Sequence, residues 1–325
     1  MKKIFFLILF VLSAFGGVKA QEYCFSQYYL DKLAISPAFA TIGDYSEIGM
    51  IFRDQWPGIE GGFKIYNAEY QQKLPTYNSG IGVRLFGNSS GGGAFSTTEA
   101  DFVYAYDFSL TYAVKCAFGI QAGYHTKKLN QTNLVYYSMI NPDNGKISPL
   151  NENIKYDRSA SLNFSGGMIF YTQRTVLAFG LYRMTNFVLT GEKNILPVML
   201  TGIVNHKIKL ASRAKQNKIQ EIFIAPTLNF SRTSLALMIM PGAYFYGDKI
   251  SAGLAYRFQK SGYNASSLVL STGFNFGKIE IGIGYDIYLS AVGLPSKNSM
   301  EAGVKYKFEN SEKNNGSKTI LCPAF

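Results

Sequence analysis

Ile279-Glu280-Ile281-Gly282-Ile283-Gly284-Tyr285-Asp286-Ile287 alternates without interruption. Ile279, Ile281, Ile283, Tyr285 and Ile287 share one face, and Glu280, Gly282, Gly284 and Asp286 share the other. A period of two marks a β-strand with unlike faces. The pattern recurs along the chain. At 300–308, Met300, Ala302, Val304, Tyr306 and Phe308 oppose Glu301, Gly303, Lys305 and Lys307. At 98–108, Phe102, Tyr104, Tyr106 and Phe108 oppose Glu99, Asp101 and Asp107, and at 115–125 Phe118, Ile120, Ala122 and Tyr124 oppose Gly119, Gln121, Gly123 and His125. Shorter versions stand at 47–53, 80–86 and 250–258.

A soluble sandwich would bury the apolar face of such strands in a core; a membrane barrel would turn it to lipid. Three features favour the barrel. The runs extend for about 9–11 residues, enough for a tilted strand to cross a bilayer. The charges Glu47, Arg53, Arg84, Asp101, Asp107, Lys115, Arg257, Glu280 and Asp286 all fall on the face opposite the apolar one. A charge at mid-bilayer on the lipid side would cost roughly 2–4 kcal/mol. Aromatic residues such as Tyr104, Tyr106, Tyr124, Tyr256, Tyr285 and Tyr306 recur near strand ends, as in an aromatic girdle. The expected fold is therefore an all-β, closed antiparallel transmembrane barrel of about fourteen strands, near 44–54, 62–73, 78–88, 97–108, 112–125, 159–172, 174–184, 198–211, 219–231, 234–246, 249–259, 264–276, 278–289 and 298–309. Closure also removes the open edges that many long amphipathic strands would otherwise expose. Two runs are irregular: 175–183 does not alternate cleanly, and Pro226 interrupts 219–231. Gly247-Asp248 and Gly277-Lys278 read as short turns, Gly87–Gly93 as a flexible surface loop, and 126–157 as the longest loop.

Composition agrees. Of 325 residues, 47% are hydrophobic and 16% charged, which excludes a disordered chain. Lys2 and Lys3, an apolar stretch Ile4–Val18 and the small-residue pattern Val18-Lys19-Ala20 read as a signal peptide over 1–20, cut before Gln21. Residues 21–43 form an apolar N-terminal segment expected to pack in or under the barrel, 44–309 the barrel, and 310–325 a polar tail. Removing Lys2, Lys3 and Lys19 takes the formal net charge from +11 to +8, and the excess is spread along the chain. Nucleic-acid binding, which needs a clustered patch or motif, is not expected.

Catalytic and metal chemistry finds no footing. His125 and His206 are the two histidines, and neither stands at ligand spacing to a Cys or carboxylate. Gly87–Gly93 lacks the Gly-Lys-Ser/Thr ending of a phosphate loop, and no Gly-x-Ser-x-Gly elbow occurs. No cofactor and no enzymatic activity are expected. Cys24 and Cys322, near opposite ends, would tie the two tails together if bonded, which an exported compartment permits. Cys116 falls on the apolar face as a small buried or lipid-facing hydrophobe. Trp56, the single Trp, reads either as an interfacial anchor or as a brace for segment 25–40. Gly303, Tyr306 and Phe308 in the last strand resemble the terminal signal read by the outer-membrane barrel assembly machinery.

Several short stretches occur in a fixed order. Phe25-Ser26-Gln27-Tyr28 is followed by Ser36-Pro37-Ala38-Phe39 and then by Arg53-Asp54-Gln55-Trp56. Gly253-Leu254-Ala255-Tyr256-Arg257, Gly284-Tyr285-Asp286 and Cys322-Pro323 come later. The set resembles the PorP/SprF family of the type IX secretion system, with Ser36 in place of an asparagine and Phe39 in place of a tyrosine. The resemblance implies an outer-membrane barrel of the secretion and gliding machinery that is not an enzyme. It implies binding, export or surface anchoring of a secreted partner such as a large adhesin, through that partner's C-terminal domain. A porin-like passive or selective channel is the competing expectation. Besides membrane lipid, the partners implied are the adhesin and secretion-machinery components.

Overall fold

The computed structural model describes residues 25–43, 45–130, 134, 139–140, 158–191, 196–215, 218–261, 263–289 and 298–309. Apart from short 3-10 turns, its regular structure is β. The strands are β1 (Tyr45–Gln55), β2 (Phe63–Leu74), β3 (Ser79–Ser90), β4 (Phe95–Ser109) and β5 (Lys115–Leu129). They continue as β6 (Arg158–Tyr171), β7 (Thr175–Thr190), β8 (Met199–His206), β9 (Ile208–Lys215) and β10 (Lys218–Arg232). β11 (Leu237–Tyr246), β12 (Ile250–Ser261), β13 (Tyr263–Phe276), β14 (Ile279–Tyr288) and β15 (Ser299–Glu309) complete the set. Neighbours pair antiparallel, and β1 closes on β15 from Tyr45↔Glu309 to Gln55↔Ser299. β8 and β9 pair with the two halves of β10 and occupy one position, so the barrel has 14 strands around its wall. Closure of β1 on β15 removes the open edges of the wall, and β9, which pairs with β10 alone, continues past the start of β7. No described helix is long and apolar enough to cross a membrane; the chain crosses with strands.

The alternation read from sequence is the inside–outside pattern of the wall. Ile279, Ile281, Ile283 and Tyr285 are exposed on the outer face, while Glu280 and Asp286 are buried inside. Glu47, Arg53, Arg84, Asp101, Asp107 and Arg257 are buried inside as well, and the tyrosines named above as a girdle are all exposed outside.

The irregular runs have physical causes. In β7 the pairing with β6 jumps from Gly166↔Leu181 to Phe164↔Thr185, and Arg183 within this bulge has φ 59°. The bulge breaks the alternation, so β7 reads as ending near 184 but continues to Thr190. Pro226 lies inside β10, paired with Ala243, and its other side faces the break between β8 and β9. A proline has no N–H for that neighbour, so the break falls where a ladder bond is missing anyway. The N–H of Lys207, at the break, donates instead to Arg174 O at 2.7 Å.

Other expectations are corrected. Gly87–Ser90 belong to β3 and only a tight turn follows, with Gly91, Gly92 and Gly93 at positive φ. β5 runs to Leu129, into the stretch read as loop. Cys116 shares the outward face of β5 with Phe118 and Ile120 but is covered by its neighbours, at 1% exposure. The signal peptide, Cys24, Cys322, the tail 310–325 and most of loop 126–157 lie outside the described residues.

Candidate functional site: a lumen filled by the N-terminal segment

Residues 25–42 run through the inside of the barrel. Phe25, Tyr28, Tyr29, Leu30, Leu33, Ile35, Ala38, Phe39, Ala40 and Ile42 are buried there, as are the polar Ser26, Gln27, Asp31, Lys32, Ser36 and Thr41. The segment has only two short 3-10 turns, Tyr28–Leu30 and Pro37–Thr41. Most of its backbone groups therefore need partners from the wall. The inward faces of the strands provide them.

The strongest cluster holds Ser26. Its N–H donates to Glu301 Oε1 at 2.7 Å, and the N–H of Gln27 donates to Glu301 Oε2 at 3.1 Å. The Ser26 hydroxyl donates to Asp286 Oδ1 at 2.7 Å and accepts from Arg53 Nη1 at 3.1 Å and Arg257 Nη2 at 2.6 Å. Arg53 pairs with Asp286 Oδ2 at 2.8 Å and also with Glu301; Arg257 pairs with Asp286 Oδ2 at 2.9 Å. The side chains of Arg53, Asp286 and Glu301 are each at most 1% exposed. Two guanidiniums against two carboxylates make a neutral set, which is how four ionised groups can share a buried site.

The middle of the segment repeats the device. Glu69 accepts the N–H groups of Lys32 (3.3 Å) and Leu33 (3.2 Å). Lys32 Nζ reaches Glu47 at 3.0 Å, Lys305 Nζ donates to Tyr29 O at 2.8 Å, and Asp31 meets Arg84 at 3.4 Å and Asn67 at 3.0 Å. Farther on, Thr201 Oγ1 donates to Ile35 O at 2.6 Å, and the Tyr182 hydroxyl donates to Leu33 O. Tyr28 and Tyr29 pack edge-on with Tyr244. Burial pushes the hydroxyls of Tyr28 and Tyr29 well above the ordinary phenol range.

Inward glycines make the room. A Cβ at Gly119 would lie 2.7 Å from Ala38 Cα, one at Gly80 2.8 Å from Thr41 N, and one at Gly167 2.7 Å from Pro37 Cδ. The segment thus lies directly on wall backbone where the inward face carries no side chain.

The residues singled out in the sequence divide accordingly. Ser26, Arg53, Arg257 and Asp286, drawn from separate short stretches, meet in one cluster. Gln55 accepts from Arg53 Nε at 3.1 Å. Gln27 accepts from Tyr29 OH at 2.8 Å, and Tyr28 OH lies 3.3 Å from Thr227 Oγ1. Trp56 is buried at the rim, 5.5 Å from the Phe63 ring and 6.0 Å from the Tyr288 ring, not turned to the lipid interface. Through Tyr288, whose hydroxyl is 3.4 Å from Arg53 Nη2, it adjoins the Ser26 cluster. Gly303 faces Leu30, whereas Tyr306 and Phe308 pack edge-to-face with each other outside. The partnering of Glu69, Lys305 and Glu301 with the N-terminal segment was not anticipated. Their signal was present only as isolated inward charges. His125 lies inside, 3.8 Å from Glu99, and His206 contacts Thr175 at 2.8 Å. No metal-binding group of His, Cys, Asp or Glu occurs among the described residues.

Between the segment and the barrel end opposite the β1–β15 terminal pair Tyr45↔Glu309 lies a cavity of about 360 Å³. Phe25, Arg84, Glu99, Gln121, His125 and Arg183 are among its lining.

Strands with lipid-facing apolar residues, a closed wall and an internally bonded segment define an outer-membrane β-barrel whose lumen is occupied by its own chain. Residues 17–306 match the family described as type IX secretion system membrane protein PorP/SprF, and the chain belongs to that family. Solved structures similar to it include the Pseudomonas putida toluene transporter TodX, 11% identical, with TM-score 0.46 over 91% of this chain and 96% of that one. The Ralstonia pickettii toluene transporter TbuX gives the same values. A Pseudomonas aeruginosa FadL homologue is 8% identical, with TM-score 0.41 over 84% of this chain and 93% of that one. No curated protein matches the chain in sequence.

Proposed function

We propose that this barrel serves type IX secretion as a closed, non-enzymatic receptor. It binds a secreted surface protein, such as a large adhesin, through that protein's C-terminal domain and holds it at the outer membrane. Family membership supports the secretion role. The observation that carries the receptor reading over a channel is the N-terminal segment fixed across the lumen by Arg53, Arg257, Asp286 and Glu301. The longest connections, 130–157, 191–198 and 289–298, leave the barrel at the end opposite Tyr45 and Glu309. In outer-membrane barrels long loops face outward and short turns face the periplasm. The 360 Å³ cavity opens toward that outward end and offers charged, amide and aromatic groups to an incoming polypeptide segment.

The test has two arms. Purified barrel reconstituted in planar bilayers is expected to show no steady conductance, and affinity capture from outer membranes is expected to recover a secreted protein with its C-terminal domain. A constant open-pore current from the native chain would favour the channel reading instead.

A further inference from the structure

We propose that the outer wall from β15 to β6, beside the long-connection rim, binds a membrane lipid of net negative charge carried on phosphate. Its acyl chains would occupy an apolar groove, and its phosphate groups would lie along the row that runs from Lys64 to Lys128 and Arg158, about 14–19 Å across the strands.

The groove is a depression of about 650 Å³ on the membrane-facing side. Met50, Phe52, Tyr66 and Leu85 form its walls, and the small Ala68 and Gly87 leave it deep. One of its rows of outward residues runs through cross-strand partners Phe52↔Tyr66↔Gly87↔Thr98. Two residues nearer the rim, about 7 Å along the strands, the next outward row reads Asp54↔Lys64↔Ser89↔Ser96↔Lys128↔Arg158. Hydrophobic wall thus gives way in one step to a row of three cations, two hydroxyls and one acid.

That row is unusual in its own terms. Lys128 and Arg158 stand directly opposite each other on adjacent strands, an arrangement that repels unless an anion lies between them. Lys64, Lys128 and Arg158 are all exposed, and none forms an ion pair with a described residue. Asp54, opposite Lys64, offsets one charge and leaves the row positive. A phosphate suits this setting: it carries the charge and acceptor oxygens that Lys, Arg and Ser donors satisfy. The groove selects a lipid over a soluble anion, because its apolar lining faces hydrocarbon and the cations sit at headgroup depth.

The experiment is native mass spectrometry of the full chain in detergent, titrated with lipid A or with phosphatidylcholine. Native protein is expected to retain lipid A and not phosphatidylcholine. The triple variant Lys64→Gln, Lys128→Gln, Arg158→Gln is expected to lose about a hundredfold in lipid A affinity, since each cation near an anionic lipid contributes roughly a factor of five. Gly87→Leu fills the groove and is expected to weaken lipid A while leaving the cations in place. A Cβ at Gly87 meets only Thr97 O, at 3.7 Å, so the wall tolerates it. Heat-modifiable gel migration verifies that each variant is folded. Equal retention of the two lipids, or unchanged lipid A binding in the folded triple variant, overturns the proposal. So does competition by inorganic phosphate combined with indifference to Gly87→Leu, which would mean an ionic site without a lipid.

Discussion

Replacing Arg53 by alanine removes the residue that joins the two carboxylates under Ser26. Asp286 would keep Arg257 and the Ser26 hydroxyl, while Glu301 would keep only the N–H groups of Ser26 and Gln27. Both carboxylates are sealed from water, with side chains 1% exposed. Breaking a buried pair by deleting one partner costs about 3–5 kcal/mol, because the remaining charge is left uncompensated. At tenfold per 1.4 kcal/mol, that shifts the docking equilibrium of the N-terminal segment by about two to three and a half orders of magnitude. Lys32 reports the outcome: it is 6% exposed inside the barrel and becomes accessible to trypsin only when the segment leaves. Arg53→Ala barrels are expected to be cleaved after Lys32, and to gain conductance in planar bilayers, while native barrels resist. Arg53→Lys keeps the charge but not the fork that reaches Asp286 and Glu301 together, and is expected to fall between. If folded Arg53→Ala barrels stay uncut and closed, the charge cluster does not hold the segment and the argument fails.

Other outcomes follow from the same packing. Gly119→Val would drive its Cβ toward Ala38, whose Cα lies 2.7 Å away. A loss of about 1–3 kcal/mol is expected from such overpacking, read as a lower unfolding temperature than the parent's, a difference that disappears when both lack residues 21–40. Tyr28 and Tyr29 ionise above the ordinary phenol value in the folded barrel. The unfolded chain therefore releases these protons first as pH rises. Their contribution is complete below about pH 10 and declines above it, and tyrosinate absorbance of the folded protein should lag that of the denatured chain. Trp56, packed against Phe63 and Tyr288, should emit at short wavelength in the folded barrel and shift red on unfolding. Phe308→Ala, on the outer face of the last strand, is expected to reduce assembly in cells without preventing refolding of purified protein in detergent.

Why the charged clusters were read only in part has a geometric answer. Arg53, Arg257 and Asp286 were visible as inward charges because each falls on the polar side of a clean alternation. Their meeting point was not visible, since Ser26 lies 260 residues from Asp286 and 231 from Arg257 along the chain. The glycines carried a similar half-message. Gly119 marks an inward face without a side chain, but only the path of Pro37 and Ala38 across it explains the vacancy. Arg183 and Pro226 show the converse. There, local irregularity disturbed the period of two, and neighbouring strands absorbed it by a bulge and by the break between β8 and β9.

Which side of each strand meets lipid was determined by sequence alone, because a misplaced charge in hydrocarbon costs more than any local preference. Alternation together with an absence of long apolar helices was enough for a closed wall. What fills that wall was decided by tertiary structure. An apolar, poorly periodic stretch such as 25–42 carries no pattern that says where it goes. Its buried backbone groups and the charges facing it find partners only once the strands have brought Glu69, Arg257, Asp286 and Glu301 to the lumen side of the wall along its path.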